Sequence, residues 1–95
     1  MDNLVIGIDI GTHKVCTIVA QIKPEAVFII GAGVEGTRGM KAGLVSDLEA
    51  LTRSISGSVY KAEQASGYTI KRAFVSLSGQ HILSSNSRGA VGING

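Results

Sequence analysis

Cysteine, proline and charge are all scarce in this chain. Its 95 residues hold one cysteine, Cys16, one proline, Pro24, and 17% charged side chains, with a net charge of +2. A single cysteine excludes an internal disulfide framework and fits a reducing cytoplasm, and its place in an apolar run predicts a small buried hydrophobe. So slight an excess of positive charge gives no basis for binding nucleic acid or an anionic membrane surface. Long hydrophobic runs are missing as well. Asp9 cuts the first apolar stretch far short of the roughly 20 residues a bilayer span needs, and no basic residue precedes it as in a secretory signal, so neither span nor signal is expected. A chain of this length makes one small domain that buries roughly 60 to 70 per cent of its unfolded surface.

What is present begins with residues 4–14, Leu-Val-Ile-Gly-Ile-Asp-Ile-Gly-Thr-His-Lys. Leu4, Val5, Ile6, Ile8 and Ile10 read as a strand buried on both faces of a sheet. A carboxylate at its end, Asp9, is costly to desolvate and calls for a positive partner. Gly11 and Thr12 then make a tight turn, and an apolar pattern over 15–23 gives a second strand. The tip of this hairpin suits a phosphate. Gly11 lets the backbone approach an anion, the amides of Gly11, Thr12, His13 and Lys14 can form a nest, the Thr12 hydroxyl can donate, and Lys14 adds charge. Asp9 would hold the water shell of a Mg²⁺, which takes one or two carboxylates together with nucleotide phosphates.

Farther along, Pro24 sits in a turn over 23–26, and 27–33 reads as a third strand of an antiparallel meander. Gly31-Ala32-Gly33-Val34-Glu35-Gly36 spells G-x-G-x-x-G, but the dinucleotide-binding reading requires a helix to start inside the motif. Glycines at 36, 39 and 43 forbid one, each costing roughly 1 kcal/mol in a helix. The glycines are expected to bend the strand and carry the chain onward. Ser46-Asp47-Leu48-Glu49 has the form of a capping box, so a helix is expected from about 46. Leu48, Leu51, Ile55, Val59, Ala62 and Ala65 form its apolar stripe, its charged residues including Arg53, Lys61 and Glu63 a solvated face, and Gly67 its stop. The serines at 54, 56 and 58, with Gly57, weaken its middle. Residues 73–77 read as a strand that returns parallel to the meander. The fold class is therefore α/β, in βββαβ order. His13 and His81 have no ligands or catalytic partners at suitable spacing, so neither carries a metal or nucleophilic role.

The turn Asp-Ile-Gly-Thr-His-Lys resembles the first phosphate loop of the actin, heat-shock-70 and sugar-kinase superfamily. The segments Arg38-Gly39-Met40-Lys41-Ala42-Gly43-Leu44-Val45-Ser46-Asp47-Leu48-Glu49 and Ser76-Leu77-Ser78-Gly79-Gln80-His81-Ile82 narrow the likeness to the bacterial FtsA family, whose N-terminal portion the chain resembles. That resemblance implies a partial actin-like (ribonuclease-H-like) ATPase subdomain. Residues 1–78 would be the first part of subdomain 1A, and 79–95 the beginning of an inserted subdomain 1C, with its last residues poorly ordered. It implies ATP and Mg²⁺ as cofactors, with Asp9, Gly11, Thr12, His13 and Lys14 at the nucleotide and Asp9 at the metal. It implies an assembly protein rather than an enzyme, with weak ATPase activity at most. Such a protein self-associates into filaments and links FtsZ and other division proteins to the cytoplasmic side of the inner membrane, at the division site. The second phosphate loop, the FtsZ-binding subdomain and the C-terminal membrane helix of that family fall beyond residue 95. The alternatives are a pilus-assembly actin-like relative and a small-molecule kinase of the same superfamily.

Overall fold

The structure, a computed structural model, describes residues 3–77 and 89–92. Strands β1 (Leu4–Ile10), β2 (Lys14–Ile22) and β3 (Val27–Gly36) form the antiparallel meander. A two-stranded ribbon follows, β4 (Met40–Lys41) with β5 (Leu44–Val45), and then helix α1 (Leu48–Ser66), β6 (Arg72–Leu77) and β7 (Gly89–Gly92). The main sheet has the order β3-β2-β1-β6-β7, with β6 parallel to β1 and β7 antiparallel to β6. The parallel crossover is thus present, and the mixed α/β arrangement with it. The ribbon between β3 and α1 is an element the sequence pattern did not announce. Its turn holds Ala42 at φ 53° and Gly43 at φ 80°, and an alanine in that region gave no turn signal to read.

One face of the sheet is sealed and the other is open. Ile8 and Ile10 of β1 and Val15 and Val19 of β2 pack with Leu51, Val59 and Ala62 of α1, and with Ile70 and Ala73. The alternate residues Val5, Ile18, Val34 and Phe74 are exposed. The expectation that β1 is buried on both faces is therefore corrected, because α1 lies on one side only and no described element covers the other.

The glycines of the G-x-G-x-x-G run have a different use from the one expected. β3 continues through them to Gly36 instead of ending near 33, with an irregularity in its pairing to β2 between Ile29 and Gly31, just before the run. A Cβ at Gly31 would stand 2.7 Å from Ser66, and one at Gly33 would collide with the Ser58 carbonyl and meet the Ala62 nitrogen at 2.6 Å. These positions are seats that let α1 lie directly on the strand.

Helix α1 starts one residue later than the capping box implies. Asp47 is the N-cap, and its carboxylate accepts from the Ala50 amide at 3.2 Å. Gly67 ends the helix at φ 81°, as expected. The apolar stripe is shifted: Leu48 and Ala65 are exposed, while Ser54 and Ser58 are buried with Leu51, Val59 and Ala62. Both serines are satisfied. Ser58 donates to the Ile55 carbonyl at 2.9 Å, so its oxygen accepts from the buried Thr17 hydroxyl at 2.7 Å. Ser54 donates to the Gly36 carbonyl and accepts from the Arg38 amide. Glu63 is not a solvated charge but takes the Ile70 amide at 2.7 Å, fixing the entry to β6. The expectations placed on His81, the Ser78-Gly79 bend and most of 79–95 lie outside the described residues. Of that stretch, Gly89–Gly92 extends the main sheet.

Candidate functional site

The β1–β2 turn is held by a residue far from it in sequence. Thr37, just past β3, donates its amide to the His13 carbonyl at 2.9 Å and its hydroxyl to the Gly11 carbonyl at 2.7 Å. Within the turn, the Gly11 amide donates to the Lys14 carbonyl at 2.9 Å. That removes Gly11 from the expected nest of donors, since its N–H closes the hairpin. The Thr12 and His13 amides make no hydrogen bond to another described residue, and the side chains of Thr12, His13 and Lys14 are all exposed.

Asp9 belongs to the open face. It pairs across β2 with Cys16 and lies in parallel register with Ser76 of β6, whose hydroxyl donates to Asp9 Oδ1 at 3.3 Å. The costly buried carboxylate expected here is instead exposed, and its partner is a hydroxyl rather than a cation. Asp9, Ser76, Cys16, Ile18 and Phe74 line an open hollow of about 350 Å³. Cys16 is half-buried in this hollow rather than sealed in the core, because its register places it on the uncovered side. Lys14 does not line the hollow, although the pleat puts it on the same face as Cys16, one step toward the tip.

The structure thus brings Asp9 together with Ser76 and sets Thr12, His13 and Lys14 at the adjoining tip. Two contributors were missed from sequence. Ser76 could be found from the parallel pairing of β6 with β1, which sets polar residues of equal level side by side. Thr37 carried no local signal. Chemically, the arrangement offers two amides, a hydroxyl and an ammonium to an anion, and one solvent-facing carboxylate to a hydrated cation. Among the described residues there is no cluster of three or more histidine, cysteine or carboxylate groups that would bind a metal by protein ligands alone. A lone Asp9 fits Mg²⁺ only in the mode in which water and phosphate supply the remaining ligands. Among the described residues, no helix is long and apolar enough to cross a membrane.

Comparison with known proteins adds a sequence relationship. No family model matches the chain. It is 42% identical over 93 residues to the cell division protein FtsA of Borreliella burgdorferi, covering 97% of this chain and 22% of that protein. It is 37% identical over 91 residues to FtsA of Pseudomonas aeruginosa, and 38% identical over 92 residues to FtsA of Escherichia coli K12, with 95% and 96% of this chain covered. The FtsA resemblance drawn from the motifs therefore holds over almost all of this chain, which spans about a fifth of the length of the relatives it matches.

Proposed function

Proceeding from this FtsA-like sequence, we propose that the chain is the N-terminal portion of a cell-division protein of the FtsA family, acting at the division site. In this reading the whole protein is an actin-like, ATP-binding assembly protein. It polymerises and tethers the FtsZ ring to the cytoplasmic face of the bacterial inner membrane, with little ATP hydrolysis. The observation that carries the reading is the 42% identity over 97% of the chain. No observation favours the pilus-assembly or kinase alternatives.

The residues here would form one half of a nucleotide clasp. The amides of Thr12 and His13, the Thr12 hydroxyl and the Lys14 ammonium would meet phosphate oxygens at the tip, while Gly11 shapes the turn. Asp9 would hold the water shell of Mg²⁺, and the Ser76 hydroxyl fixes one of its oxygens. The ion's contribution would be to neutralise phosphate charge. One such clasp supplies two or three charge-assisted hydrogen bonds of roughly 1.5 to 3 kcal/mol each, most of it offset by immobilising the ligand. The chain alone therefore binds ATP more weakly than micromolar. In the full-length protein, Lys14→Ala is expected to weaken ATP binding at least about tenfold by titration calorimetry, the loss of one charge-assisted contact. Unchanged affinity would remove Lys14 from the site.

A further inference from the structure

We propose that the free edge of β3, at Val27, Phe28 and Ile29, pairs antiparallel with the same edge of a second copy of this chain, across a two-fold axis. This stands apart from the nucleotide reading and rests on the backbone of a strand that ends the main sheet.

Hydrogen-bond alternation fixes which groups face outward. Lys23 and Ala26 exchange both their hydrogen bonds at the β2–β3 turn, at 2.9 and 3.3 Å. In an antiparallel ladder bonded and non-bonded pairs alternate, so Phe28 turns its peptide groups toward Gln21, while Val27 and Ile29 turn theirs away from β2.

The two halves of this edge are treated differently. At the far half, the Lys61 ammonium reaches over from α1 to the Val34 carbonyl at 3.1 Å and pairs with Glu35 at 3.2 Å. A lysine set against an edge carbonyl is a guard against strand addition. Among the described residues, no side chain guards the near half in this way. Of the two charges in the preceding turn, Glu25 is exposed and Lys23 lies over the Phe28 ring, 5.6 Å from its centre. Val27, Phe28 and Ile29 are 59%, 46% and 59% exposed. Consecutive residues of a strand point to opposite faces, so both faces are bare here.

The segment is also its own complement. With Phe28 opposite Phe28 of the second copy, Val27 falls opposite Ile29 on either side of the axis. Both outward-facing residues then meet outward-facing partners, and every cross-strand pair is aromatic or β-branched, with no like charges opposed. A closed isologous contact requires such self-complementarity, and it stops at two copies because each edge is used once.

Sedimentation of this 95-residue chain from about 1 μM to about 1 mM, with amide exchange at both ends of the range, tests the proposal. The expected result is a concentration-dependent dimer in which the Val27 and Ile29 amides exchange at least about tenfold more slowly than in the monomer. Ile29→Lys should restore the monomer without unfolding the chain, since the side chain is exposed. Val5→Lys, on the open face of β1, should leave the dimer intact. A monomer throughout, a dimer with unchanged exchange at Val27 and Ile29, or a dimer abolished by Val5→Lys and kept by Ile29→Lys would each overturn it.

Discussion

On the face of the sheet that α1 covers, Val15 and Val19 are wholly sealed from solvent. On the opposite face Val5, Ile18 and Phe74 stand 40%, 38% and 58% exposed. Both faces draw on the same residue types, so hydrophobicity does not decide which one is covered. Gly31 and Gly33 do, because on the covered side they give the helix backbone room to approach β3. Ser54 and Ser58 face that side too, with hydrogen-bond partners waiting in Gly36, Arg38 and Thr17. The polar and small residues, not the large apolar ones, assign the faces.

That contrast can be broken by substitution. Gly33→Val should have the largest effect, since its side chain would occupy the space of the Ser58 and Ala62 backbone and lift the helix. A loss of about 3 kcal/mol, or failure to fold, is expected from urea denaturation. Val19→Ala on the sealed face removes packed methyl groups and should cost about 2 kcal/mol by the same measurement. Asp47→Ala removes the cap that starts the covering helix, an expected loss of about 1 kcal/mol with reduced helical circular dichroism. Val5→Ala on the open face should shift stability by less than about 0.5 kcal/mol. Equal losses for Val19→Ala and Val5→Ala would mean that both faces are covered in solution.

Much of this was legible from residue patterns. The opening hairpin, the parallel return at β6 and the stop at Gly67 follow from apolar runs, crossover geometry and a glycine after a helix. The dinucleotide motif was rightly rejected because no helix could begin there, but its glycines were read as the end of the strand rather than as part of it. What was misread has a common physical source. Serines at 54 and 58 look like weak points of a helix until their partners on β2 and β3 are known. Glu63 looks solvated until the Ile70 amide is placed beside it. Cys16 and Asp9 look buried because the run around them is apolar, and only the side on which the helix docks shows that they are not. At the candidate site, the local loop residues could be named from sequence. The Gly11 amide is lost to the Lys14 carbonyl inside the turn itself, whereas the arrival of Thr37 and Ser76 depends on pairings across 26 and 67 positions, which no local window contains.

Thr37 gives the turn between β1 and β2 a shape that its own residues do not dictate. Two of the turn's carbonyls are spent on a threonine 26 residues downstream, so the loop behaves as a buckle fastened from outside. A synthetic peptide of residues 4–22 would keep the letters of the loop and lose its form.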